Sequence, residues 1–237
     1  MQRTCVVAMV IFALLAPATA QKYSDFTTPR PLPPNSYLVV GIMGGIERWD
    51  SENRPVRRVA LDLRSRAIPG VYAETVEHGH RGLALKLIRE SLDSDGDGKL
   101  SPLEASSARI VLYGHSMGAA GVVKLARDLK TLGIPVLLTI QVDSVGTRDG
   151  KIPSNVRKAA NFYQHTSKIV RGQATIKAED PTATQIIGNF KFDYKHKDVD
   201  LSGITWPERI AGGAHTKMEF DPDVWRAVER LILGEIK

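Results

Sequence analysis

The segment Gly114-His115-Ser116-Met117-Gly118 sets a serine hydroxyl between two glycines. A serine is a weak nucleophile until a base takes its proton, so it must be both accessible and close to that base. G-x-S-x-G spacing suits a tight, strained strand-to-helix turn that lifts the hydroxyl clear of a sheet. Side chains at Gly114 or Gly118 would then collide with the neighbouring strand and helix. The residues before the motif, Ile110 to Tyr113, read as a strand; Ala119-Ala120-Gly121 after it read as the start of a close-packed helix. Such a helix turns its unpaired N–H groups, Met117 first, toward a developing oxyanion.

A second set of residues suits a cation. Asp93, Asp95, Asp97, Lys99, Ser101 and Glu104 occupy the ligand positions of a twelve-residue calcium loop at 93–104. The aspartates and Ser101 supply oxygens, Lys99 its backbone carbonyl, Gly98 the sharp turn and Glu104 a bidentate carboxylate. The loop resembles EF-hand and dockerin calcium loops, in a single copy. It precedes the Ile110 strand, at the end away from Ser116. Four or five strand residues at about 3.3 Å each put the ion well over 10 Å from the hydroxyl. The expected cofactor is therefore calcium in a structural role.

Elements alternate along the chain. Tyr37 to Ile42 reads as a buried strand running into a glycine loop, Pro55 to Ala67 as a helix and Val71 to Val76 as a second strand. Leu83 to Leu92 follows as a helix, then the Ile110 strand, a helix over Met117 to Leu132 and an apolar strand over Pro135 to Val142. Strand–helix alternation predicts an α/β fold, a mostly parallel sheet with helices on both faces. Beyond Asp143 the pattern is irregular, with strands expected at Ala174 to Lys177 and Thr184 to Phe192. Asp221-Pro222 caps a last helix with Val224, Val228, Leu231 and Ile232 on its apolar face.

The GHSMG segment in this setting resembles the nucleophile elbow of the α/β-hydrolase family, its lipases and esterases above all. The resemblance spans about residues 37 to 235. It implies a triad in the chain order serine, acid, histidine. His78 and His80 precede the elbow, and His115 lies within it. Of His165, His196 and His215, the last follows Gly212-Gly213-Ala214 in what reads as a flexible loop and precedes the last helix. That placement resembles the family's histidine loop, with His196 the main rival. Asp143 ends the Pro135 strand on the sheet edge that carries Ser116, where open α/β sheets place their sites. Many relatives carry the acid one strand later, which keeps Asp180 and Asp193 open. The oxyanion hole is expected from the N–H of Met117 and one from Met43-Gly44-Gly45, with Met43 and Gly44 the candidates.

The bulk composition sets the frame. The chain has 237 residues, 43% hydrophobic and 24% charged, ordinary for one globular domain. Arg3, the apolar run Val6 to Leu15 and Ala18-Thr19-Ala20 read as a signal peptide over 1–20, cleaved after Ala20. The protein is then secreted or periplasmic, and its single cysteine, Cys5, leaves with the leader. The run is too short to cross about 30 Å of hydrocarbon comfortably, so no stable membrane insertion is expected. Four prolines in Tyr23 to Ser36 make residues 21–36 an extended arm, and 37–237 the hydrolase domain. The net charge of +6 is spread along the chain. Its densest cluster, Lys191, Lys195 and Lys197, reads as a solvated face, so no nucleic-acid partner is expected. The expected substrate is a small-molecule or lipid ester. Thioesterase or acyltransferase chemistry with the same residues, a non-catalytic calcium-dependent binding module, and a calcium-sensing switch are the other readings. Oligomeric state is left open.

Overall fold

Alternate residues of the first strand face opposite ways, and both faces are covered. In a computed structural model, which describes residues 20–167, 170–205 and 213–236, β1 (Tyr37–Ile42) sends Leu38, Val40 and Ile42 to one core and Val39 to a second. Strand β3 (Ile110–His115) divides in the same way, Ile110 and Leu112 against Val111 and Tyr113. This period-2 division is why these strands read as continuous apolar runs. Helices α2 (Arg81–Leu92) and α4 (Met117–Thr131) pack on the first face through Leu87, Ile88, Val122, Leu125 and Leu129. Helices α1 (Pro55–Ser65) and α6 (Pro222–Glu235) pack on the second through Val56, Val59, Leu63, Val224, Val228 and Ile232.

The main sheet has the order β2-β1-β3-β4-β6-β8 and every neighbouring pair is parallel. The remaining strands are β2 (Val71–Val76), β4 (Val136–Val142), β6 (Val156–Gln164) and β8 (Gln185–Phe192). A two-stranded sheet pairs β5 (Lys151–Ile152) with β7 (Lys177–Ala178). This is the expected α/β arrangement, a parallel sheet with helices on both faces. Because every strand runs the same way, β1, β3 and β4 all end on one edge of the sheet, which receives the loops bearing Gly44, Ser116 and Asp143.

Three elements depart from the sequence reading. Strand β6, nine residues long, was not expected, because Arg157-Lys158-Ala159-Ala160-Asn161 has neither clean alternation nor β-branched content. The strand expected at Ala174 to Lys177 reduces to the two residues of β7. His215 lies not in a loop but in the first turn of a short helix, α5 (Ala214–Phe220), whose Ala214 and Met218 are buried one turn apart. Seven residues are too few to show a helical period.

The proline-rich arm is docked along the edge strand β2. The buried carboxylate of Glu74 accepts the N–H groups of Thr27 (2.7 Å) and Thr28 (2.9 Å), and Arg64 reaches its other oxygen. Gln21 adds a side-chain bond to the Thr75 carbonyl at 2.9 Å. The expected leader lies outside the described residues apart from Ala20. Among the described residues no helix is long and apolar enough to cross a membrane.

The 93–104 segment joins α2 to β3 through α3 (Pro102–Ser106). Glu104 closes it. Its Oε1 accepts Ser94 N–H (2.7 Å) and O–H (2.8 Å), and its Oε2 accepts Ser101 N–H (2.9 Å) and O–H (2.8 Å). The Ser101 bonds and then those from Ser94 favour the carboxylate and lower Glu104 from an ordinary 4.5 to about 2. A carboxylate with a depressed folded-state pKa contributes stability above its unfolded value that is lost as pH falls through the folded one. The melting-temperature gap between wild type and Glu104→Gln should be constant above about pH 5 and close as pH approaches 2. A gap unchanged down to pH 2.5 would show that charge is not what Glu104 contributes (about half a unit above its folded value).

Candidate active site

Strand β3 passes into α4 through one residue, Ser116, whose φ of 55° and ψ of −123° are strained for any residue with a side chain. The turn is possible because the helix comes in against bare backbone. A Cβ on Gly118 would lie 2.2 Å from the Ile42 carbonyl oxygen, and one on Gly114 would lie 2.8 Å from the Gly118 carbonyl carbon. The elbow is tied to the end of β4 as well: Ser116 N–H donates to the Val142 carbonyl (2.9 Å), and the Ser116 carbonyl accepts from Val145 (3.1 Å).

One residue past β4, Asp143 also has a positive φ, 43°, and its side chain is fully buried. Three donors surround the carboxylate. Gln164 gives its backbone N–H at 3.2 Å and its Nε2 at 2.9 Å, and Gly172 gives its N–H at 3.0 Å. The fourth partner is His215: its Nδ1 lies 2.6 Å from Asp143 Oδ2, and its Nε2 lies 3.0 Å from Ser116 Oγ. A hydroxyl, an imidazole and a buried carboxylate thus form one hydrogen-bonded chain. With Nδ1–H donated to Asp143, Nε2 faces the hydroxyl with a lone pair, the tautomer that can accept its proton.

The rival residues are elsewhere. Asp180 caps a local turn through Thr182, and the exposed Asp193 accepts from Thr166 and Lys195. His165 and His196 are exposed. Lys197 pairs with Asp221 and Asp223 beside the cap of α6. Gln164 and Gly172 were missed from sequence, since an isolated glutamine and glycine in an irregular stretch carry no spacing signal.

The oxyanion donors need one correction. Met43 does not offer its N–H to the cleft, because it donates to the Val76 carbonyl at 2.9 Å and so extends the strand ladder. Gly44 does border the cleft, and its N–H donates to Glu47 Oε2 at 3.0 Å. Met117 opens α4, where a first-turn N–H has no helical acceptor. The cleft over Ser116 and His215 has a volume of about 460 Å³, and polar Arg48, Ser51, Asn53 and Thr216 share its walls with Ile46.

The 93–104 loop brings one carboxylate oxygen each from Asp93, Asp95 and Asp97 within 4.8 Å of one another. Gly96 and Gly98 take φ of 73° and 76° to make the turns. The hard oxygen set fits calcium. Glu104, engaged by Ser94 and Ser101, would exchange some of these bonds for the ion.

No family model matches the sequence, and no curated protein matches it. Several solved structures are similar in shape. A cutinase-like protein from Cryptococcus sp. is 13% identical over 86% of this chain and 96% of its own, with a TM-score of 0.44. The RedJ thioesterase of the prodiginine biosynthetic pathway in Streptomyces coelicolor is 10% identical over 91% and 94%, at 0.46. A dienelactone hydrolase from Anabaena variabilis is 11% identical over 84% and 85%, at 0.40. Identities and scores this low assign no activity, and the chemistry must come from the residues at the site.

A Cβ on Gly172 would fall 2.1 Å from Asp143 Oδ1. Gly172→Ala should therefore lower stability by about 1–3 kcal/mol and displace the carboxylate from His215. Gly79→Ala, with nothing near its Cβ, should change little. Equilibrium unfolding in urea checks this, and equal midpoints for the two variants would refute the packing around Asp143.

Proposed function

We propose that the protein is a serine hydrolase that cleaves carboxylic esters. The observation that carries this reading is the Ser116–His215–Asp143 hydrogen-bonded chain, with its serine on a strained elbow at the start of α4. Ser116 Oγ attacks the acyl carbonyl as His215 Nε2 takes its proton, and Asp143 stabilises the resulting imidazolium. Met117 N–H stabilises the tetrahedral oxyanion, joined by Gly44 N–H when Glu47 releases it. His215 returns the proton to the alkoxide that leaves, and water then releases the acyl group by the same route. The polar walls of the cleft favour a short acyl chain over a long one.

A fluorophosphonate probe should label wild type and neither Ser116→Ala nor His215→Ala. Asp143→Asn should lower kcat by on the order of 10⁴, because the amide selects the wrong imidazole tautomer. 4-Nitrophenyl acetate should be cleaved in preference to the palmitate ester. Absence of labelling in folded wild-type protein would remove the hydrolase reading, and a preference for palmitate would remove the short-chain one.

Calcium at 93–104 is part of the same proposal, as a brace between α2 and β3. Calcium a hundredfold above its Kd should stabilise the fold by about 2.7 kcal/mol, roughly 5–10 °C at this length. Chelation should remove that shift in wild type and have no effect on an Asp93→Asn, Asp97→Asn double variant. A wild-type melting temperature indifferent to calcium would reject the brace.

A further inference from the structure

Three side chains in the cleft lie outside the Ser116–His215–Asp143 chain, and they come together from three segments. Glu47 lies in the loop after β1, His115 at the end of β3 and Glu219 on α5. A carboxylate oxygen from each glutamate and a ring nitrogen of His115 lie within 4.8 Å of one another. His115 is 2% exposed, and neither ring nitrogen has a hydrogen-bond partner. Burial without a partner forfeits what each nitrogen would gain in water, an uncommon state in a folded interior. Gly44 lets its backbone pass close to two of these groups. A Cβ there would stand 3.0 Å from Glu47 Oε1 and 3.3 Å from His115 Nδ1.

Among the described residues, Arg54 Nη1 is 3.0 Å from Glu219 and 4.0 Å from Glu47, beside two largely buried carboxyl groups. Burial, then each other's proximity in the case of Glu47, pushes both carboxyls above the usual carboxylate range. Burial pushes His115 well below the ordinary imidazole value.

We propose that Glu47, His115 and Glu219 bind one divalent transition-metal cation beside Ser116. The cation takes the place of the proton that the two buried carboxyls would otherwise share, and it gives the orphan imidazole a partner. One imidazole with two carboxylates suits zinc, cobalt or manganese, and it is a poor cage for calcium, which takes six to eight oxygens. Arg54 stays on Glu219 from outside and orients it, as outer partners of metal ligands do. The site shares no residue with the Ser116–His215–Asp143 chain, so its existence does not depend on the hydrolase reading.

The test is cobalt(II) titration of the full mature chain with its 93–104 aspartates changed to asparagine, followed by visible d–d absorption and equilibrium dialysis. One equivalent should bind, with zinc displacing it, and Ser116→Ala should bind equally well. Glu47→Gln and Glu219→Gln should each weaken binding by about tenfold or more, with folding checked by circular dichroism. His115→Gln should remove the nitrogen contribution to the spectrum. No uptake by the folded protein, or unchanged affinity in both glutamine variants, would overturn the proposal and leave a proton shared by the two carboxylates to balance the site.

Discussion

The carboxylate of Asp143 has no contact with solvent, and an isolated charge in that position would be untenable. It is held by hydrogen bonds from three directions: the end of β6 through Gln164, the return segment through Gly172, and α5 through His215. Each of these segments is distant in sequence from Asp143, so the C-terminal half must fold around this group to satisfy it. The same bonds that make its burial tolerable also fix the imidazole. His215 is therefore oriented by the folding of the region that carries it, and no separate device is needed. Gly172 is a glycine for this reason, because any side chain would occupy the place of the carboxylate oxygen.

The other constraint is close backbone approach at the elbow. Gly114 and Gly118 let α4 descend onto the carbonyls at the end of β1, and the strain at Ser116 is sustained by packing on both faces of the sheet. The central strand β3 is wholly buried, so the elbow is carried by a strand packed on both faces. The 93–104 loop acts at the opposite end of that strand. Glu104 caps α3 and draws the loop shut at the start of β3, and Ser116 follows the other end of that strand.

Glu47 has a double position. It accepts the Gly44 N–H that an oxyanion would want, and it faces Glu219 with Arg54 beside both. A carboxylate there competes with an anionic transition state for the same donor. The cleft thus carries a carboxyl group outside the Ser116–His215–Asp143 chain that bears on the same donor as the proposed chemistry.

The elbow, the sheet around it and the acidic loop were legible in the sequence because each depends on residues adjacent in the chain. GHSMG is a local backbone requirement, the apolar runs of β1, β3 and β4 are local patterns, and the loop carboxylates fall at fixed offsets. Asp143 and His215 could be named by chain order, but their pairing is a matter of tertiary structure. Strand β6 and helix α5 were not legible, and both touch the site. The buried Asn161 and Gln164 of β6 serve hydrogen bonds and not a core, which erases the alternation that announces a strand. Helix α5 is too short to show a period. Only the tertiary structure decided that Met43 spends its N–H on Val76, and that Glu47, His115 and Glu219 meet. Neither has a sequence signal, because a hydrogen bond between strands and a convergence of three segments depend on distances that the linear order of residues does not carry.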